Sequence, residues 1–88
     1  MPWTIRLSPP AARQLSVLPR DHQVAIGRAI DRMQNDPFQS DVQPLKGKQW
    51  QGRYRRRVGR YRFIFIPYYH DRIVEISAIL LRDEKPYR

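Results

Sequence analysis

The chain has 88 residues and no cysteine, which excludes a multidomain enzyme, a disulfide framework and a thiol nucleophile. Hydrophobic residues make up 41% of it, enough for one core, so we expect a single domain over residues 1–88. Seventeen basic residues, of which three are Lys and fourteen Arg, against eight acidic ones give a net charge of +9, and we expect a polyanionic partner.

The N-terminal part predicts one strand and two helices. Residues 3–7 alternate apolar and polar side chains, which is the period of a half-buried strand. Ser8, with a proline after it, is typical of a helix N-terminus, and apolar residues then recur at helical spacing up to Leu18. Pro19 can open a second helix, which ends at Asp36 before another proline. The two helices form a hairpin in this interpretation.

The C-terminal part predicts three antiparallel strands. Residues 38–51 show no period and indicate a loop. Residues 53–58 and 61–66 alternate, and the Gly59–Arg60 pair between them is typical of a type II′ hairpin turn. Residues 73–81 are rich in Ile, Val and Leu and indicate a further strand. We therefore expect an α+β fold in which an N-terminal strand and a two-helix hairpin precede a three-stranded antiparallel meander, with the helices on one face of the sheet.

Most of the net charge lies in the second half of the sequence. Residues 1–45 carry five basic and four acidic groups, whereas residues 46–88 carry twelve and four, and no acidic residue occurs from 46 to 62. Because residues 58 and 61 face each other across a two-residue turn, the faces of the hairpin can be assigned. One face is apolar except for Arg56, which must reach the sheet edge or find an acid. The apolar members of that face are Tyr54, Val58, Tyr61, Phe63 and Phe65.

The other face of the predicted hairpin carries four arginines, namely Arg53, Arg55, Arg57 and Arg62, with Arg57 directly beside Arg62. Since like charges repel across a ladder, this cluster indicates an anion site, although a basic face that only confers solubility is the alternative. Aromatic side chains nearby favour nucleic acid, and RNA over duplex DNA because no element resembles a recognition helix.

Other side chains offer little catalytic chemistry. We expect His22 and His70 to be solvated, and Glu75 to pair with a neighbouring Arg. No group of His, Asp and Glu has metal-ligand spacing, so we expect neither a metal site nor a cofactor. Tyr87 could act as a base, because guanidinium groups around it would favour the phenolate. It could also stack on a nucleobase, or be a disordered terminal residue.

The order of elements and several motifs resemble the RelE/ParE toxin superfamily. The motifs are Leu45-Lys46-Gly47, the run from Gly52 to Arg62, which contains Arg57-Val58-Gly59-Arg60-Tyr61-Arg62, and a final Arg82 to Tyr87. The resemblance covers nearly the whole chain and implies a small toxin of a toxin–antitoxin pair with a fold of the microbial ribonuclease type. It also implies a metal-independent endoribonuclease of the RelE branch, which cuts mRNA in the ribosomal A site through attack of a 2′-hydroxyl on the adjacent phosphate.

The same resemblance implies roles for particular residues. The residues that it implies to be catalytic are Arg53, Arg55, Arg62, Arg82 and Tyr87. The residues that it implies to bind RNA are Lys46, Lys48, Arg57 and Arg60. In this reading Arg62 and Arg82 bind the scissile phosphate, and Tyr87 stacks on a base or helps to activate the 2′-hydroxyl. RelE itself has lysines where Arg53 and Arg55 stand, and Arg is too basic to transfer a proton readily, so the proton-transfer groups stay open.

Two other functions remain possible at the level of sequence. A ParE-like inhibitor of DNA gyrase without nuclease activity is the alternative on the same fold, and an inert binding module is the third. The partners that the nuclease reading implies are a cognate antitoxin, with which it would form a hetero-oligomer, and mRNA on the ribosome with contacts to 16S rRNA. We expect the antitoxin to place an acidic or amphipathic segment across the sheet and helices. Without a charged leader or a long apolar run, the sequence indicates a cytoplasmic protein with no membrane partner.

Overall fold

The computed structural model describes residues 2–39 and 41–81. Its elements, in chain order, are β1 (Thr4–Leu7), α1 (Pro9–Ser16), α2 (Arg20–Met33), β2 (Val42–Pro44), a 3₁₀ turn (Lys48–Trp50), β3 (Tyr54–Val58), β4 (Tyr61–Tyr68) and β5 (Ile73–Leu81). The strands form one sheet in the order β1-β5-β4-β3-β2. The predicted α+β class is confirmed. Neither described helix is long and apolar enough to cross a membrane.

The helical hairpin follows the local signals in the sequence. The Ser8 hydroxyl accepts a hydrogen bond from the Ala11 N–H at 3.3 Å, which caps α1 as predicted. Helix α2 begins after Pro19 and places Ile26, Ala29 and Met33 on one buried stripe. It ends at Met33, earlier than the predicted end at Asp36, and turns then lead the chain to β2.

The predicted hairpin between β3 and β4 is confirmed in its register. Val58 lies opposite Tyr61, and Arg57 lies opposite Arg62. Gly59 has φ of +56°. Arg60 does not have a positive φ, because Arg72 is the one non-glycine residue with positive φ in the described part of the chain. The turn therefore has positive φ at its first central residue alone, as type II′ requires. Strand β5 continues the antiparallel meander, and β1 pairs with β5 in parallel.

The prediction of an unbroken loop over residues 38–51 was wrong. Val42–Pro44 forms the short edge strand β2, which pairs antiparallel with β3 so that Val42 lies opposite Arg56 and Gln43 opposite Arg55. Three residues are too few to show a period of two, and the strand ends in a proline. A proline is tolerated there because β2 is at the edge of the sheet, where one side of the strand has no ladder to complete.

The core lies between the helices and one face of the sheet, as predicted. Phe63 and Phe65 of β4 are fully buried, and Tyr61 is nearly so. Further buried members of this core are Ala11, Ile26, Ala29, Met33, Val74, Ile76 and Ile79. Since all the buried helical residues belong to this cluster, the helices cover one face of the sheet.

Arg56 departs from its prediction. It lies on the core face of β3 and is 4% exposed, so it does not reach the sheet edge. Its Nε and Nη1 atoms are buried without a hydrogen-bond acceptor among the described residues, and no ion pair in that part of the chain includes it. Burial lowers the pKa of its guanidinium, Arg32 lowers it further, and Asp36 acts in the opposite direction.

Candidate functional site

The face of the sheet opposite the helices brings together three of the four predicted arginines. We call it the outer face, and its residues on the three central strands include Arg55, Arg57, Arg62, Ile64, Ile66, Glu75, Ala78 and Leu80. Arg57 and Arg62 are direct cross-strand neighbours, and Arg55 lies opposite Ile64. Three guanidinium groups therefore belong to two adjacent strands at one end of this face.

The edge strand β2 supplies partners for two of these arginines. The Nη2 atom of Arg55 donates a hydrogen bond to Oε1 of Gln43 at 3.1 Å. Just before β2, the Oδ2 atom of Asp41 lies 3.8 Å from Nη1 of Arg57. Sequence reasoning missed both contacts because it interpreted this segment as a loop. The signal was present in the order Asp41-Val42-Gln43, which places the two polar side chains on the same face of an extended chain.

Arg53 lies just outside the β3–β4 register, which begins at Tyr54. It precedes β3, and its guanidinium carbon lies 5.8 Å from the centroid of the Trp50 ring, which is a cation–π distance. Lys48 begins the 3₁₀ turn that contains Trp50. Lys46, two residues earlier, lines a pocket of about 320 Å³ together with Arg55. The two predicted RNA-binding lysines therefore flank the β2 edge of the sheet.

Arg60 lies in the hairpin turn, where it lines a second pocket of about 190 Å³ with Tyr61 and residues of α2 that include His22. It therefore stands on the helix side, away from the outer face. His22 lines the same pocket. The prediction that it is solvated was wrong, since Nδ1 of its ring is 2.7 Å from the Tyr61 hydroxyl and its side chain is only 31% exposed. Sequence reasoning missed this pair because its members are 39 residues apart.

Two further expectations are confirmed. His70 is exposed in the turn between β4 and β5. Glu75 lies on the outer face with its Oε2 atom 3.7 Å from Nε of Arg6 on the neighbouring strand β1. This ion pair lies on the β1 side of the sheet, whereas Arg55, Arg57 and Arg62 lie on β3 and β4, toward the other edge.

The middle of the outer face is apolar. Ile64 is 1% exposed although no helix residue belongs to its side of the sheet. Its cross-strand neighbours are Arg55 on β3 and Ala78 on β5. The side chains of Ile66 and Leu80 are also partly buried. The charge of this face is therefore concentrated beside an apolar surface, where water screens it less than on an open polar surface.

Two of the predicted site residues, Arg82 and Tyr87, lie outside the described residues, and their roles stay predictions. Within residues 2–39 and 41–81, no group of three or more His, Cys, Asp or Glu side chains is placed to hold a metal ion. The described outer face offers a ligand the guanidinium groups of Arg55, Arg57 and Arg62, which donate several hydrogen bonds in one plane and match phosphate geometry.

Comparison with known proteins identifies the fold. Neither protein-family models nor curated protein sequences give a match to this chain. Among solved structures, the RelBE2 toxin–antitoxin complex of Mycobacterium tuberculosis contains a chain with 24% sequence identity and a TM-score of 0.83, over 93% of this chain and 100% of that one. The RelE–RelB complex of Pyrococcus horikoshii gives 23% identity and a TM-score of 0.79, over 97% and 100% of the two chains.

The YoeB/ParE toxin of Agrobacterium tumefaciens is also similar, with 16% identity and a TM-score of 0.76 over 90% of this chain and 98% of that one. These structures superpose on 90–97% of this chain, while their sequences differ from it at more than three positions in four. The protein therefore has the fold of the RelE/ParE-like toxins.

Proposed function

We propose that the protein is the toxin of a toxin–antitoxin pair and a metal-independent endoribonuclease that cuts mRNA in the ribosomal A site. The observation that carries this proposal is the placement of Arg55, Arg57 and Arg62 on adjacent strands of the outer face. A protein that only binds another protein has no evident need for this cluster, because opposed guanidinium groups such as those of Arg57 and Arg62 repel each other. A phosphodiester placed between them removes that repulsion.

The proposed reaction begins with attack of a ribose 2′-oxygen on the adjacent phosphorus. The O2′–P bond forms, the P–O5′ bond breaks, and negative charge develops on the phosphoryl oxygens between these two events. Arg62 binds those oxygens, with Arg57 beside it, and their N–H groups stabilise the charge as it increases. Fixed donors of this kind usually give the largest single contribution to catalysis, and they need no metal ion.

Proton transfer requires other groups than these arginines, because a guanidinium stays protonated at neutral pH. The 2′-hydroxyl proton passes to a base, and the leaving O5′ takes up a proton from a water molecule. We assign the first of these roles to Tyr87, in keeping with the resemblance found in the sequence, and Arg82 then acts with Arg62 on the scissile phosphate. Arg53, Lys46 and Lys48 orient the RNA from the β2 edge of the sheet.

The partner of the free toxin would be an antitoxin with an acidic or amphipathic segment. A net charge of +9 supports a partner of opposite charge. Two of the similar solved structures are themselves complexes of RelE-type and RelB-type chains. We therefore propose a hetero-oligomer that acts in the cytoplasm, in which the antitoxin segment lies across the sheet and helices and keeps mRNA from the outer face.

Primer extension on ribosome-bound mRNA, after expression of the toxin, tests the proposal. Wild type should give discrete cuts within codons, and Arg62→Ala should reduce them by about 100-fold or more, as loss of one charge-stabilising donor does elsewhere. Arg28→Ala, an exposed change on α2, should cut like wild type and serves as the matched control. A gyrase supercoiling assay is run in parallel. Inhibition of supercoiling with intact mRNA would refute the nuclease and favour the ParE-like alternative.

A further inference from the structure

A pocket of about 320 Å³ opens at the β2 edge of the sheet. It is lined by Gln43, Pro44, Leu45, Lys46 and Arg55. This volume is at the lower end of the range of about 300–1,000 Å³ found for small-ligand sites, so the pocket suits one compact group. Arg55 belongs both to this pocket and to the outer face, which makes the two sites continuous.

The polar side chains that line this pocket offer mainly hydrogen-bond donors, because Lys46 and Arg55 have no acceptor and Oε1 of Gln43 already accepts from Arg55. Nη2 of Arg55 donates to Oε1 of Gln43 at 3.1 Å, and because Arg has no acceptor, this bond fixes which end of the Gln43 amide is oxygen. Nε2 of Gln43 then keeps two N–H groups for a ligand. Lys46 adds an ammonium group. Nη1 of Arg55 is buried and has no acceptor in the described part of the chain.

A donor-rich pocket selects a ligand that offers adjacent acceptors. Among the RNA bases, guanine presents O6 and N7 side by side, whereas adenine and cytosine each place an amino donor on that edge. Uracil offers a single exocyclic oxygen there. Pro44 and Leu45 supply apolar wall that contacts a base plane. For a base that presents this edge, the donor pattern therefore favours guanine.

We propose that this pocket binds one base of the RNA substrate with a preference for guanine, and that Gln43 is a specificity-determining residue. The inference rests on the proposed function, since it assigns a base preference to the same RNA. Because Arg55 belongs also to the outer face, where the proposed function places the RNA phosphate, a nucleotide fits the pocket better than an acidic peptide. One ribose links a base to its phosphate, so a single nucleotide can place its base beside Gln43 and its phosphate near the arginines of the outer face.

The test measures binding apart from cleavage. Fluorescence anisotropy at fixed salt gives the Kd for short 2′-O-methyl RNA strands, which lack the attacking hydroxyl and differ only by G, A, C or U at one position in a uridine background. Wild type should prefer the G strand by about fivefold or more, because a bidentate base contact gives about 5- to 150-fold discrimination. Gln43→Leu, which replaces the amide by an apolar group and so removes its donors, should reduce that preference to about twofold or less.

Two other variants sharpen the result. Gln43→Glu replaces the donor with an acceptor and should make the G strand no better bound than the A or C strand. Gln39→Leu, an exposed glutamine outside the pocket, should bind every strand like wild type. Circular dichroism melting of each variant establishes that it is folded before its Kd values are compared.

Equal affinity of the wild type for all four strands, or a guanine preference that survives Gln43→Leu, would overturn the base pocket and leave the proposed nuclease standing. The pocket would belong instead to an acidic protein segment if Gln43→Leu weakened binding of a polyglutamate peptide without changing base preference, and this result too would overturn the inference. The proposed function fails by a separate result, namely cleavage that is unchanged in Arg62→Ala.

Discussion

Replacement of the buried Arg56 is predicted to raise the free energy of unfolding, whereas most substitutions in a protein core lower it. Arg56 is 4% exposed, and its Nε and Nη1 atoms find no acceptor among the described residues. Arg32 repels it, and burial lowers its pKa. Methionine has a similar length, can retain the contacts of the aliphatic stem and brings no polar atom into the core. We therefore expect Arg56→Met to stabilise the fold.

The magnitude follows from the two buried nitrogen atoms, Nε and Nη1. A buried donor without an acceptor costs about 1–3 kcal/mol, so the pair costs about 2–6 kcal/mol in the folded state. Loss of the attraction between Arg56 and Asp36 offsets part of the gain. A net increase of about 1–3 kcal/mol in the free energy of unfolding is expected, in line with other replacements of buried charges by apolar side chains. For a domain of this size, the increase corresponds to a rise in Tm of at least about 4 °C.

Urea unfolding followed by the fluorescence of Trp3 and Trp50 measures this change, provided that the denaturant slope is the same in both proteins. Arg57→Met, the next residue on the same strand, has a side chain that is 40% exposed and should shift the free energy of unfolding by less than about 1 kcal/mol. If Arg56→Met lowered that free energy by more than about 1 kcal/mol while the control stayed neutral, the guanidinium would have to be hydrogen-bonded in solution, and the reasoning from unpaired donors would be refuted.

Two further predictions concern the backbone of the glycines and a long-range hydrogen bond. Gly59→Ala should lower the free energy of unfolding by about 1–2 kcal/mol, since φ is +56° there, whereas Gly27→Ala in α2 should raise it by about 0.5–1 kcal/mol. A Cβ at either position has nothing within 4 Å, so steric effects cannot reverse these signs, and the same urea titrations would expose a reversal. Tyr61→Phe should cost about 0.5–1.5 kcal/mol through loss of the 2.7 Å bond to His22. A cost that persisted in a His22→Leu background would show that this bond is not its cause.

The sequence allowed those parts of the fold to be predicted that depend on local signals. The cap at Ser8, the turn at Gly59 and the register that places Arg57 beside Arg62 are each encoded within a few residues. Strand β2 could not be recognised in this way, because three residues with a proline carry no periodic signal and exist as a strand only through pairing with β3. For the same reason, the sequence did not predict the part of the candidate site that contains Gln43 and the pocket beside it, because β2 positions both.

Long-range packing explains the other differences. The hydrogen bond between His22 and Tyr61 joins α2 to β4 and has no local trace in the sequence. The alternation of the hairpin correctly placed Arg56 on the core face. It did not predict that this residue is buried, because the rest of the sheet and α2 lie outside the hairpin. Burial is a property of the whole fold, so a side chain that could snorkel from a two-stranded hairpin cannot do so from the interior of a five-stranded sheet.

The contact between Asp41 and Arg57 explains how the arginines of the outer face are tolerated without a ligand. At 3.8 Å, with both side chains between 40% and 47% exposed, this ion pair contributes less than about 1 kcal/mol. It nevertheless places a carboxylate next to the Arg57–Arg62 pair, where it reduces their repulsion in the free protein. A phosphate that binds both guanidinium groups forms stronger, charge-assisted hydrogen bonds than this weak pair. Under the proposed function, the RNA phosphate therefore displaces Asp41 at little cost, and the residue just before the edge strand makes the free and bound states of the site compatible.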